Sequence, residues 1–184
     1  MKRMLLLLML VLVSMATPRH AGAQQAAEMV AQIKTKAAAG DANAQYELGL
    51  AYRRGEGVPQ NDTEAVKWYR LAAAQGVLNA QTNLGTHYQF GRGVPEDNTE
   101  AVKWYRSAAA QGHPLGQLNL GAMYYEGKGV PKDDVQAYMW LNLAAAGGDI
   151  RAVGIKNTVA KSMTEEQIAE AQRLSTAFKP TKKP

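Results

Sequence analysis

Apolar and polar positions follow one another in an order that returns every 36 residues along this chain. The stretch GEGVPQNDTEAVKWYRLAAAQG (55–76) recurs as GRGVPEDNTEAVKWYRSAAAQG (91–112), with 17 of the 22 positions identical. The glycines that mark the period are Gly40, Gly76, Gly112 and Gly148. A repeat of this length without insertions predicts a stack of similar units that together bury one continuous core.

The first half of each unit predicts a helix. Leu48 and Tyr52 recur at helical spacing on one apolar face. Gly49 lies in the middle of this helix, where glycine costs about 1 kcal/mol relative to alanine. Its return as Gly85 and Gly121 indicates that another helix crosses closely at this position.

The turn and the start of a second helix also have sequence signals. Gly55 predicts a left-handed cap at the end of the first helix, and Pro59 cannot continue that helix. Asn61 stands three residues before Glu64, the spacing of an N-terminal capping pair. The equivalent pairs are Asp97 with Glu100 and Asp133 with Gln136.

The second helix carries an apolar stripe. Ala65, Trp68, Tyr69 and Ala72 fall at i, i+3, i+4 and i+7, which predicts one buried face with a large aromatic residue at its centre. The tryptophans of the three copies are therefore predicted to be core residues. The lysines and arginines beside them, as in Lys67, are predicted to form an ordinary solvated face.

The two ends of the series predict incomplete units, as expected of a stack that must cap its core. Residues 24–39 are predicted to form an N-terminal partial repeat helix, followed by repeats at 40–75, 76–111 and 112–147. Residues 148–178 predict a partial repeat and a C-terminal capping helix. In this segment Asp149 caps one helix to about Ala160, and Thr164 with Gln167 begins another. Residues 179–184 are predicted to be a disordered tail.

The first 23 residues have the pattern of a secretory signal peptide. A basic start precedes an apolar run from Met4 to Val13, and a small-x-small site predicts cleavage after Ala23. The run is about half the length of a bilayer span, so we expect no membrane span after removal of the signal. The remaining 161 residues hold 18 basic and 16 acidic residues, a net charge of +2. This balance argues against nucleic-acid binding.

The combined pattern A-x3-L-G-x2-Y-x2-G-x-G-V, A-x2-W and A-A-x2-G resembles the Sel-one-like repeat (SLR), a relative of the tetratricopeptide repeat, over residues 37–148. The resemblance implies an all-α protein, a right-handed α/α solenoid of 36-residue helix-turn-helix repeats. It also implies a scaffold for protein complexes, and bacterial members are often exported. A subgroup that resembles β-lactam-binding proteins has paired cysteines in each repeat, whereas this chain has none.

The sequence offers no catalytic constellation. The glycine-rich turns follow no strand, so they predict repeat turns rather than phosphate loops. His87 and His113 fall at different repeat positions without the spacing of a metal site. No serine stands in an S-x-x-K or G-x-S-x-G stretch. We therefore expect neither an enzyme nor a metal or cofactor site.

The surface that varies between copies is the candidate binding face. In tetratricopeptide-type stacks the first helices line the concave side, and the exposed positions then follow from the register. The predicted contact residues are Asn43, Tyr46, Glu47, Leu50, Arg53, Asn79, Thr82, Asn83, Thr86, Gln89, Leu118, Asn119, Ala122 and Tyr125. Amides such as Asn83 and Asn119 can both donate to and accept from an extended peptide backbone.

These features predict a periplasmic or secreted adaptor that binds a protein or peptide on its concave face. The alternative is a module that binds cell-wall (peptidoglycan) glycopeptide, because concave aromatic and amide groups suit that ligand too. Binding to isolated cell-wall sacculi would distinguish the two.

Overall fold

The computed structural model describes residues 18–181. Residues 1–17 of the predicted signal peptide and residues 182–184 of the predicted tail lie outside that range. The described part contains nine helices and no strand. In chain order they are α1 (Pro18–Ala38), α2 (Ala42–Arg54), α3 (Asp62–Ala74), α4 (Leu78–Gln89), α5 (Asn98–Ala110), α6 (Pro114–Glu126), α7 (Asp134–Ala146), α8 (Ile150–Ala160) and α9 (Glu165–Ala177).

The helices form an α/α solenoid, as the repeat predicted. Each helix from α1 to α7 packs against the next one in the chain. The first helices of successive units also touch each other, α4 with α6 and α6 with α8. The second helices α3, α5 and α7 lie on the other side of the stack. The chain therefore builds one continuous core from neighbouring units.

The predicted caps are present at both ends of the helices. The side chains of Asn61, Asp97 and Asp133 accept hydrogen bonds from the third backbone amide that follows, at 2.9–3.0 Å. Each bond satisfies an N–H that has no partner within its helix. Gly55 and Gly127 end their helices in the left-handed conformation, with φ of 71° and 67°.

The mid-helix glycines mark close helix crossings, which confirms the prediction. A Cβ atom at Gly49 would lie 2.6 Å from ring carbons of Tyr69, and one at Gly85 would lie 2.6 Å from the ring of Tyr105. Such contacts are far shorter than a van der Waals distance. The absence of a side chain therefore allows α2 and α4 to pack directly on an aromatic ring of the following helix, and in the third unit Gly121 packs on Leu141 in the same way.

The residue after the tryptophan, rather than the tryptophan itself, is the central residue of each unit: it is a tyrosine in the first two units and Leu141 in the third. Tyr69 and Tyr105 are fully buried, whereas Trp68 and Trp104 are only partly buried. The prediction that the tryptophans are core residues is therefore only partly correct, because their side chains remain partly exposed. Adjacent residues point about 100° apart on a helix. The tyrosine points toward the mid-helix glycine of its own first helix, whereas the tryptophan packs at the edge of the core cluster that includes the preceding second helix.

Helix α1 occupies the place of a second helix, as predicted for 24–39, although it begins at Pro18. Its Val30 and Ala37 are buried against Leu48 of α2. Lys34 Nζ lies 5.7 Å from the ring centre of Tyr52. One repeat later, the guanidinium of Arg70 lies 5.5 Å from the Tyr88 ring, so α1 has the same register as α3.

The C-terminal end folds back on the second helices. Thr164 and Gln167 form the predicted capping box, and α9 packs against α7. Residues 179–181 were predicted to be disordered, but the structure places them against the solenoid. Pro180 packs on Gly112, and the Thr181 backbone N–H donates to the Ala110 carbonyl oxygen at 2.8 Å. These residues are ordered because they lie in a surface groove between second helices. The composition of the tail itself gives no sign of this groove.

Candidate functional site: the first-helix face

The candidate site is the first-helix face, which we define as the solvent-accessible surface of α2, α4 and α6. The first helices of successive units contact each other, α4 with α6 and α6 with α8. Most of the predicted contact residues are half-buried or exposed there. They are Asn43, Tyr46, Glu47, Leu50, Arg53, Asn79, Asn83, Thr86, Gln89, Asn119, Ala122 and Tyr125.

Two of the predicted contact residues are buried, so their assignment to an exposed face is wrong. Thr82 is 1% exposed, and Leu118 is 5% exposed. Thr82 Oγ1 donates to the Leu78 carbonyl and lies 3.2 Å from His113 Nδ1 at the start of the next first helix. Leu118 packs in the C-terminal core cluster with Tyr138. In the second and third units the contact between successive first helices covers this repeat position. The equivalent residue of the first unit is the larger Tyr46, which is only partly covered.

Several residues of the face hold the buried aromatic core in place. The Tyr105 hydroxyl donates to Gln89 Oε1 at 2.7 Å and lies 3.2 Å from Thr86 Oγ1. Burial raises the pKa of Tyr105 to about 12, so its hydroxyl stays protonated. In the first unit the rings of Tyr46 and Tyr69 pack in a tilted arrangement with their centres 6.0 Å apart. Thr86 and Gln89 therefore support the core as well as lining the surface.

An apolar cavity of about 700 Å³ opens at the N-terminal end of the face. Met29, Val30 and Ile33 of α1 form one wall, and α2 forms the other with Leu50 and Ala51 beside the charged Glu47 and Arg54. Met29 is 59% exposed, so its side chain is accessible to a ligand at this cavity. Sequence reasoning identified Leu50 and missed the α1 residues, because it treated α1 only as a cap. The apolar spacing of Met29 and Ile33 was the available signal.

A second cavity of about 360 Å³ is strongly basic. Arg53, Arg54 and Arg92 line it together with a single carboxylate, that of Asp62. His87 forms part of the wall, and its Nδ1 lies 2.8 Å from the Arg92 carbonyl oxygen. Burial holds the pKa of His87 below its usual value of 6.5, so the imidazole is neutral at pH 7. The arginines therefore supply the charge in this cavity.

Within residues 18–181, no group of three or more histidine, aspartate or glutamate side chains is arranged to hold a metal ion. None of the described helices is both long enough and apolar enough to cross a bilayer. The chemistry that the described residues offer is that of a contact surface: aromatic rings, amides, an apolar cavity and guanidinium groups.

Comparison with solved structures finds similar architecture in proteins from three bacteria. A protective antigen present in uropathogenic Escherichia coli strains, which displays an SLR fold, is 36% identical and has a TM-score of 0.76. The match covers 81% of this chain and 32% of that one. A Sel1 repeat protein from Oxalobacter formigenes is 38% identical with a TM-score of 0.65, over 68% of this chain and 51% of that one.

A third structure, Helicobacter pylori cysteine rich protein B, is 25% identical with a TM-score of 0.56, over 76% of this chain and 98% of that one. The chain thus spans about a third and about a half of the first two structures. No curated protein sequence matches it.

The family model of the Sel1 repeat matches residues 42–77, 78–113 and 114–149. These matches have the predicted period and begin two residues after the predicted boundaries. They coincide with the helix pairs α2–α3, α4–α5 and α6–α7. The chain therefore belongs to the Sel1 repeat family, whose members generally mediate protein–protein interactions and are typically non-enzymatic scaffolds.

Proposed function

We propose that this protein is an exported, non-enzymatic adaptor that binds a protein or peptide partner on its first-helix face. The observation that carries the proposal is the contrast between the two kinds of repeat position. Core positions return nearly unchanged, as in Leu48, Leu84 and Leu120, each fully buried. The accessible positions of the first-helix face differ from one unit to the next, as a surface for a specific partner requires.

The two cavities indicate the chemistry of the partner. The apolar cavity beside Leu50 fits an aliphatic or aromatic side chain, and burial of such a side chain contributes about 1.5–3 kcal/mol. The basic cavity beside Arg53 fits a carboxylate, because planar guanidinium groups bind carboxylates through paired hydrogen bonds. Arg54 of α2 lines both cavities. A segment with an apolar anchor and a nearby acidic group would satisfy both.

Export to the periplasm or the outside of the cell is part of the proposal. Its support is the order of basic start, short apolar run and small-residue site in the first 23 residues. Sequencing the N-terminus of protein recovered from the cell envelope tests this point. The expected N-terminal residue is Gln24, and a mature protein that begins at Met1 would contradict export through this segment.

Chemical crosslinking in an envelope extract tests the partner. The wild-type protein is compared with a triple variant, Tyr46→Ala, Asn83→Ala and Asn119→Ala, which alters the first-helix face. A matched control carries Lys67→Ala and Lys103→Ala, two exposed positions on the second helices.

We expect mass spectrometry to identify one protein that the wild type and the control capture and the triple variant loses. Capture that all three proteins share equally would overturn the proposed face. Binding to isolated cell-wall sacculi without a captured protein would favour the peptidoglycan alternative instead.

A further inference from the structure

The C-terminal tail occupies a groove between two second helices, and its contacts define that groove. The Phe178 ring meets the edge of Trp140 with centres 5.4 Å apart and planes at 74°. Pro180 covers Gly112, where a Cβ would lie 3.2 Å from the proline Cγ. The Thr181 backbone N–H donates to the Ala110 carbonyl oxygen at 2.8 Å. The groove thus receives an aromatic ring, a proline and a backbone donor.

The repeat builds the same groove one unit earlier. The residues 36 positions before Trp140, Gly112 and Ala110 are Trp104, Gly76 and Ala74. Each of the three is the same residue type as its counterpart 36 positions later. All three line a cavity of about 520 Å³ between α3 and α5. We call this cavity the middle groove. No segment of residues 18–181 fills it.

Each of the three contacts has a counterpart in the middle groove. Trp104 is half-buried, so part of its ring remains accessible to an incoming aromatic side chain. Gly76 has a φ of 82°, close to the 85° of Gly112, so the turn beneath the proline has the same shape. The Ala74 carbonyl lies in the last turn of α3, where a carbonyl has no partner within its helix. No backbone N–H of the described residues donates to it.

The two grooves differ in polarity. Ser107 and Gln111 of the middle groove replace Leu143 and Gly147 of the groove that the tail occupies. Gln111 Nε2 donates to Gln81 Oε1 at 3.1 Å, which fixes its amide at the wall of the cavity. The middle groove therefore favours a ligand that keeps the aromatic and proline contacts and adds polar groups beside them.

We propose that the middle groove is a second docking site, which binds an extended segment of a partner protein with an aromatic residue, any residue, a proline and a small polar residue in that order. The chain's own Phe178, Pro180 and Thr181 act as an internal copy of this ligand. Extended segments with proline lose little conformational entropy on binding, which suits a shallow groove. This site lies on the second helices and is separate from the first-helix face.

Fluorescence anisotropy with a labelled peptide STAFKPT, the sequence of residues 175–181, tests the proposal on the full chain. We expect saturable binding that weakens about tenfold or more when the peptide phenylalanine or proline is replaced by alanine. In the protein, Trp104→Ala removes the aromatic contact and Ala74→Arg obstructs the groove. Both should weaken binding by a similar factor, while Lys103→Ala on the same helix should not.

Two further results test whether the peptide binds in the middle groove. Circular dichroism should show that Ala74→Arg, at an exposed helix end, keeps the wild-type helical content, so loss of binding is not loss of fold. The triple variant Tyr46→Ala, Asn83→Ala and Asn119→Ala should bind the peptide normally, since it alters the other face. Absence of binding would overturn the proposal. So would binding that Trp140→Ala abolishes and Trp104→Ala does not, because the peptide would then only displace the tail.

Discussion

The close contact between the two helices of the second unit predicts that adding a single methyl group at Gly85 destabilises the protein. Alanine is favoured over glycine inside a helix by about 1 kcal/mol, so Gly85→Ala would be stabilising if the site had room. However, its Cβ would lie 2.6 Å from Cε1 and 2.8 Å from Cδ1 of Tyr105, and 3.2 Å from the Ala101 carbonyl oxygen. The Tyr105 ring is fully buried and its hydroxyl is hydrogen-bonded to Gln89, so the ring cannot easily move away.

The two effects can be weighed against each other. Overpacking a well-filled core costs up to about 3 kcal/mol, so the net destabilisation is about 2 kcal/mol after the helix-propensity gain. In a domain of this size that loss lowers Tm by about 4–8 °C. Urea unfolding followed by circular dichroism measures the free energy, with an unchanged dependence on urea concentration showing that the native state remains compact.

Gly154→Ala is the matched control for this measurement. Gly154 also lies inside a helix, α8, but nothing is found within 4 Å of the position of its Cβ. This variant should be stabilised by up to about 1 kcal/mol. If Gly85→Ala gains stability to the same extent as Gly154→Ala, the close helix crossing is refuted.

Three other predictions test the core, the caps and the buried histidine. Tyr105→Ala should cost about 3–5 kcal/mol and clearly more than Trp104→Ala, as measured by urea unfolding, because only the tyrosine is fully buried; equal losses would contradict the assignment of the core. Asp97→Ala should cost about 1 kcal/mol by loss of the bond to the Glu100 amide, and the neighbouring exposed Thr99→Ala should cost less; no difference between their Tm values would argue against the cap. Burial lowers the pKa of His87 in the folded protein, so the unfolded state binds more protons as the pH falls through the usual histidine pKa of 6.5, and the free energy of unfolding decreases below that pH. The His87→Met variant has the residue that the next unit carries at this position, Met123. It should reduce the dependence of stability on pH without removing it, since burial also lowers the pKa of His113. An unchanged dependence on pH would contradict the conclusion that His87 is buried in its neutral form.

The sequence was sufficient for the features that local chemistry determines. The spacing of Leu48 and Tyr52 predicted the first helix of each unit, and Asn61 and Gly55 predicted where helices begin and end. The recurrence of Gly49 at 36-residue intervals predicted the helix crossing, because a costly residue that returns in register needs a packing reason. These signals lie within one unit, so they can be read along the chain.

The features that were missed depend on contacts between units. Trp68 and Tyr69 fall on the same apolar stripe, and only the position of the neighbouring helix decides which ring is enclosed. Thr82 and Leu118 occupy a position that the next first helix covers, so their periodicity could not reveal their burial. The tail is polar and proline-containing, as a disordered segment is, and its order comes from a groove formed by residues about 70 positions away, as in the bond from Thr181 to Ala110.

The measurement that tests the central proposal most directly is site-specific photocrosslinking. A photoreactive amino acid replaces Asn83 on the first-helix face in one protein and the exposed Arg173 on α9, away from both proposed docking sites, in another. Both proteins are produced in cells and irradiated, and the crosslinked products are identified by mass spectrometry. We expect a discrete protein partner that is crosslinked at position 83 and not at position 173. A partner crosslinked at position 173 alone would contradict the proposed face, and so would irradiation that yields no protein product at position 83.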